Sequence, residues 1–416
     1  MLTSTADNHV LIDGGPTGPL FERSVGETLR DIRRQRRNLD LVVVTHIDDD
    51  HIDGIIRLLE LQTPRSQVPS IAALWHNSWP APVSRSRSDG PGARLKPPQS
   101  HPIHEYASLV MAAVDASVEQ AGQLSDQARK MRRPIKRNNG FRGGPVRLSS
   151  PLHIRHVDSA MNLTVLWPNE SALTELKAVF DRHHNPGTST RRKPKPFLRS
   201  ATAERKELRN DIDVMLGIGD NDKITRTNRA SIILLANETQ PGHPTRSCLL
   251  TGDAAADDIL DGLTAAGKFR RRATFHCDVL KLQHHGAKDN FSTEIAQAIV
   301  AEHYVISANG QHNNPEPEVL RHLIEQRAGS TPQRDFTLWF TCDPQRAPAS
   351  SRSAMRDALT AATTAARAVN SASDATVRVN LLKPSENYFD ICLCPPTPRR
   401  KCNCMPAGQT TTSLID

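Results

Sequence analysis

The sequence predicts a layered α/β fold, and three observations carry that reading. Apolar, often β-branched runs of strand length recur along the chain. Helical patterns with i, i+3, i+4, i+7 spacing stand between several of them. Apolar residues reach 37% of 416 residues, enough for a sizeable core of buried strands covered by helices. With 22 Gly added, the apolar share still falls below the globular norm of about 45–50%, so part of the chain is expected in loops or insertions. At about 150 residues per domain the length allows two or three domains.

The strand runs lie at residues 41–45, 71–75, 163–167, 231–236, 247–251, 278–282, 303–307 and 336–340. Ile52, Ile55, Ile56 and Leu59 follow the first run at helical spacing. Val319, Leu320, Leu323 and Ile324 repeat it later, with Pro315 ahead and Gly329 beyond. Residues 105–130 also read as helix. Two stretches interrupt the pattern, about 77–100 and 181–226, both rich in Pro, Ser and Arg or Lys, and both read as insertions. After about residue 345 come an Ala/Ser-rich helix over 349–368, a strand-like TVRVNLL and a Cys-containing tail.

Composition excludes several classes. Mean hydropathy is −0.49 and no run of about 18 apolar residues exists, so no membrane span is expected. The first 15 residues lack a charged segment followed by an apolar one, so no signal peptide is expected, and a cytoplasmic protein with reduced thiols follows. Lys plus Arg number 53 against 45 Asp plus Glu, a net charge of +8 that is compatible with a polyanionic partner.

The chemistry concentrates in THIDDDHIDG over residues 45–54, between the strand LDLVVV and the helix IIRLLEL. Imidazole nitrogen and carboxylate oxygen are ligand types for a divalent metal. In a tight turn alternate side chains share a side, so His46 and Asp48 can serve one ion, and Asp50 and His51 a second. An acidic first turn that complements the helix dipole accounts for one or two of these Asp but not for the flanking His pair.

This pattern resembles the second motif of the metallo-β-lactamase superfamily, H-x-H-x-D-H, with Asp48 in the place of the middle His. The variant looks like the soluble domain of the DNA-uptake channel protein ComEC. Other segments resemble further motifs in the same order: VLIDGG at 10–15, NRAS at 228–231, LLTGD at 249–253, DVLKLQHHG at 278–286 and SANGQHNNP at 307–315. The resemblance covers about residues 8–340. It implies an αββα sandwich with insertions over residues 1–345 and a small C-terminal extension over 346–416.

It also implies two divalent ions, Zn²⁺ or Mn²⁺, held by His46, Asp48, Asp50, His51, Asp253 and His285, with Asp253 between them. Asp13 is expected to accept a hydrogen bond from a ligand His and fix its tautomer. Asn228 and Ser231 are expected to support the loop. Asp50, Asp253 and His284 are the catalytic candidates. The activity implied is metal-dependent hydrolysis by a metal-bridging hydroxide, on a phosphodiester such as nucleic acid. The alternatives are a small ester, lactone or cyclic nucleotide, or a regulatory module with a degraded site. Basic clusters at Arg129, Lys130, Arg132, Arg133, Lys136, Arg137 and at Arg191, Arg192, Lys193, Lys195 favour nucleic acid.

The sequence departs from the pattern in four places. The third-motif His has no match beyond His153, His156, His183 and His184 by position. Ala287 stands where a Ser is usual after H-H-G, and Glu316-Pro317 where a His-Pro is usual. Only about ten residues precede Asp13, so either the start is assigned too late or the first sheet lacks an edge strand. Cys392, Cys394, Cys402 and Cys404 offer a structural zinc site or ordinary packing. The insertions and tail are candidate surfaces for a protein partner.

Overall fold

The strands at 41–45 and 231–236 are apolar without alternation because each is covered on both faces. The computed structural model describes residues 1–16, 18–63, 66–79, 102–131, 133, 135–184, 224–270, 273–329, 335–383, 385–393 and 412–413. A first sheet takes β1 (Leu2–Thr3), β2 (His9–Ile12), β3 (Leu39–Val43), β4 (Ala73–Trp75) and β5 (Lys136–Arg137) in that order, parallel except for β1 against β2. The first sheet does not lack an edge strand ahead of β2: β1 supplies one, only two residues long.

The second sheet has nine strands. They are β6 (Ile154–His156), β7 (Met161–Trp167), β8 (Ile233–Glu238), β9 (Arg246–Leu250), β10 (Phe275–Lys281), β11 (Ile299–Ile306), β12 (Phe336–Phe340), β13 (Val377–Leu381) and β14 (Thr412–Ser413), in spatial order from one edge to the other. β9 to β13 run parallel, and β6 to β9 antiparallel.

Helices cover the outer faces: α1 (Pro19–Arg23), α2 (Val25–Arg34), α3 (Asp49–Glu60), α4 (Pro102–Lys130) and α5 (Glu170–His184) with the first half, then α6 (Arg226–Arg229), α7 (Ala256–Ala265), α8 (Thr293–Ala298), α9 (Pro317–Ala328) and α10 (Arg352–Ala372). The result is an αββα sandwich. Between the sheets, Val10, Leu41, Val43, Ala73 and Trp75 meet Leu163, Val165, Leu234, Cys248 and Val279. The alternate residues Leu11, Val42, Val44 and Leu74 face Leu29, Ile52, Ile55, Leu59 and Leu124 of the helices. This period-2 division of each strand between two cores is what a doubly covered sheet requires.

Residues 346–381, read from sequence as an extension, are built into the second layer. Met355, Ala358, Ala362 and Ala366 of α10 and Val377 and Val379 of β13 are buried in one core with Leu320, Leu323 and Phe340. The boundary near 345 thus falls inside that layer. Cys248, Cys277 and Cys342 are buried, and burial pushes the Cys248 thiol up to about 12. Cys394, Cys402 and Cys404, and almost all of the two insertions, lie outside the described residues; Cys392 is half-buried. No helix among the described residues is long and apolar enough to cross a membrane.

Candidate metal centre

Loops after β2, β3, β9, β10 and β11 converge where ligands enter open α/β sheets, beyond the carboxyl ends of the strands. β3 ends at Val43 and α3 begins at Asp49. Asp48 holds the N-cap position, φ −71° and ψ 148°, yet its side chain caps no helix N–H. Its carboxylate hydrogen-bonds to Thr227 and lies 3.7 Å from His46 Nε2. Asp253 does not cap α7 either; that position belongs to Ala255.

The four imidazoles are all fixed in one tautomer. Asp13 accepts from the backbone N–H of Thr45 (2.7 Å) and from its hydroxyl (2.8 Å), and lies 2.8 Å from His51 Nδ1. A carboxylate only accepts, so His51 Nδ1 donates. The Thr45 proton is spent on Asp13, so its oxygen accepts from His46 Nδ1 at 3.1 Å. His285 Nδ1 donates to the carbonyl of Ser307. His284 Nδ1 donates to Asn290 Oδ1 at 2.6 Å, the Asn290 amide nitrogen being used on the carbonyl of Asp253 at 2.9 Å.

Every Nε2 is thereby left facing Asp253 Oδ2: His51 at 3.3 Å, His285 at 3.4 Å, His46 and His284 at 3.8 Å. Nε2 of His46 and His51 is buried with no hydrogen-bond partner, and Nε2 of His285 meets Asp50 Oδ2 at 2.9 Å. A buried polar atom left without a partner costs about 1–3 kcal/mol, and two side by side need a common explanation. A divalent cation supplies one. The ligand atoms of His46, His51 and Asp253 lie within 4.8 Å of one another, as do those of Asp50, His51 and His285. The donor set therefore fits divalent metal, with imidazoles oriented from behind by carboxylate, hydroxyl and carbonyl groups.

Electrostatics follow from the same packing. Burial works against charge on Asp253, but His51, His285 and Lys281 outweigh it and hold the carboxyl well below its usual range. Burial opposes a proton on His285, but Asp253 and Asp50 outweigh that and raise it to about 9. Burial and then His51 push His46 down to about 3. Burial and the facing Asp50 raise Asp48 to about 7.

Three residues of the centre carry backbone strain. His284 (φ 43°) and His285 (φ 56°) are consecutive left-handed residues, and Asp13 (φ 55°) is a third. Each costs roughly 1–2 kcal/mol in a non-glycine residue. The HHG turn aims both rings from one strand end.

The chain thus brings Asp13, His46, Asp48, Asp50, His51, Asp253, His284 and His285 together. Ser231 is fully buried, and its hydroxyl accepts from the Asp253 N–H at 3.1 Å. Asn228 is buried beside Thr227 with its Oδ1 unpartnered. None of the four candidates for the third-motif His joins them. His153 stacks near Phe141 (ring centroids 4.1 Å apart), His156 is exposed, His183 pairs with Asp115 at 2.9 Å, and His184 lies 3.4 Å from the carbonyl of Trp79.

Sequence reasoning missed Thr45, Thr227, Lys281 and Asn290. Thr45 and Lys281 stood inside recognised motifs. Asn290 carries no local signal. Arg129, Lys130, Arg133, Lys136 and Arg137 gather at the end of α4 and the start of β5, the edge strand of the first sheet beside β4. Arg132 and the cluster at 191–195 lie outside the described residues.

Residues 1–172 match the family model of the metallo-beta-lactamase superfamily. The matched segment carries Asp13, His46, Asp48, Asp50 and His51, while Asp253 and the histidine pair come from beyond it. No curated protein matches the chain.

Proposed function

With metal-dependent hydrolysis by a metallo-β-lactamase-type enzyme as the premise, we propose that this protein is a phosphodiesterase that acts on nucleic acid through a ComEC-type centre. The observation that carries the reading is an open rim rich in carboxylate. Asp48 stands where a His is usual, and the side chains of Asp48 and Asp50 are 35% and 48% exposed. Carboxylate oxygen suits hard ions such as Mn²⁺ and Mg²⁺, which also bind phosphate oxygen. An open rim admits a polymer backbone that a closed pocket excludes. The net charge of +8 favours the approach of a polyanion.

His46, Asp48 and Asp253 would hold one ion, and Asp50, His51, Asp253 and His285 the other. When bound, such ions supply Lewis acidity toward a phosphoryl oxygen and make water acidic enough to react at neutral pH. The chain's own part is orientation and proton handling. Asp13 and Thr45 hold two imidazoles from behind, and Ser231 holds the Asp253 backbone. Burial lowers the His284 pKa despite Asp253, so its Nε2 is a neutral proton acceptor at the partly exposed rim, with Asn290 fixing the ring.

The test incubates purified protein with end-labelled single- and double-stranded DNA and RNA in Mn²⁺, Mg²⁺ or Zn²⁺, beside Asp50→Ala. Cleavage by the wild type, reduced at least about 100-fold in the variant, is expected. No cleavage in any metal by protein that holds two ions would turn the reading to small esters, lactones or cyclic nucleotides.

A further inference from the structure

Lys281 has no part in the reaction described above, yet it touches the residue at the middle of the centre. It ends β10, where it pairs with Leu250 of the parallel neighbour β9. Its side chain is 17% exposed, and its ammonium group lies 2.9 Å from the carbonyl oxygen of Gly252 and 3.3 Å from Asp253 Oδ1. The other carboxylate oxygen, Oδ2, is the one that all four imidazoles face. The two oxygens of Asp253 therefore have separate surroundings, cationic on one side and imidazole on the other.

The Asp253 backbone is already clamped. Its N–H donates to Ser231, its carbonyl accepts from Asn290, and the preceding Gly252 sits at φ 54° with Ser231 and Thr45 against it. What this leaves free is rotation of the carboxylate. A lysine beside a cluster of metal ligands repels the ions, so the arrangement is unfavourable for metal uptake unless the lysine contributes something else.

We infer that Lys281 is a positioning residue that reserves Oδ1 of Asp253 and leaves Oδ2 as the single donor atom this carboxylate presents to metal. A carboxylate free to turn can give both oxygens to one ion, which ends its sharing between two. The inference rests on the two-ion reading of the centre.

Metal-free wild type and the variants Lys281→Met, Lys281→Gln and Lys281→Arg are titrated with Co²⁺, following visible absorption, with metal content measured by elemental analysis. Wild type is expected to take two equivalents. In Lys281→Met the second equivalent binds at least about 10-fold more weakly and the absorption bands change, while Lys281→Arg restores both. Lys281→Gln keeps an N–H for Gly252 without the charge, and carries the same expectation if Lys281→Met fails to fold. Binding as in wild type, or tighter binding of both ions, in the folded uncharged variant overturns the inference, because Lys281 would then be only a repelling neighbour. Wild type that takes up no Co²⁺ overturns the metal-centre reading itself, before any variant is compared.

Discussion

Thr45 orders two imidazoles with one hydroxyl, donating to Asp13 and accepting from His46. Thr45→Val keeps the shape and removes the link, so His46 loses its fixed tautomer. Divalent metal affinity is expected to fall about 10- to 100-fold, the usual cost of losing such support, and Thr45→Ser to recover most of it in calorimetric titration. Protons compete with metal at the same atoms. His285, raised to about 9 by Asp253 and Asp50 against burial, and Asp48, raised to about 7 by burial and Asp50, both hold protons at pH 6 in the metal-free protein. They must shed them to act as ligands, so metal affinity should climb from about pH 6 to 9 with protons released on binding. The sign for stability is opposite. A raised His285 stabilises the metal-free fold below its ordinary value of 6.5, and that contribution is lost as pH rises through about 9. Metal-free protein should therefore melt lower at pH 9 than at pH 6.5. A melting temperature that rises over this range would contradict the assignment.

At the scale of elements, the first half of the centre depends on a crossing of two glycines. Gly14, after β2, and Gly54, in the second turn of α3, touch backbone to backbone. A Cβ on Gly54 would lie 2.1 Å from the Gly14 carbonyl oxygen, and one on Gly14 would lie 2.4 Å from the Ile55 nitrogen. Hydrogen bonds from Gly14 N to His51 O and from Gly54 N to Gly15 O, both 2.9 Å, seal the crossing. This contact sets Asp13 against His51. Gly54→Ala is expected to cost about 1–3 kcal/mol and to weaken metal binding as α3 moves away from Asp13. Gly122→Ala in α4, where nothing lies within 4 Å, should be neutral or stabilising by up to about 1 kcal/mol. Chemical denaturation of the two variants checks the contrast.

The whole molecule depends on the C-terminal segment more than its sequence suggests. α10 and β13 supply six fully buried side chains to the core behind the second sheet, namely Met355, Ala358, Ala362, Ala366, Val377 and Val379. A chain ending at residue 345 would expose that core and leave β12 as an open edge. It is expected to show no cooperative thermal transition, measured by near-ultraviolet circular dichroism, whereas an independent extension would leave one intact.

Most of the centre was legible in the sequence because its chemistry sits in short strings at strand ends. THIDDDH, LLTGD and HHG each place their ligands within a few residues, and a turn after a buried strand exposes them. The layered class was legible for a similar local reason, since strand periods and helix periods are written residue by residue. Partners that act across the fold were not. Asn290 reaches His284 through a left-handed turn, Thr227 meets Asp48 from α6, and Lys281 meets Asp253 across β9 and β10. The position of α10 in the main core was equally hidden, because an Ala-rich amphipathic helix reads the same whether it packs on its own segment or on another sheet. The sequence by itself determined which groups are available and in what local order. Only the tertiary structure decided which oxygen faces which nitrogen, because hydrogen bonds and burial act through distance in space and not along the chain.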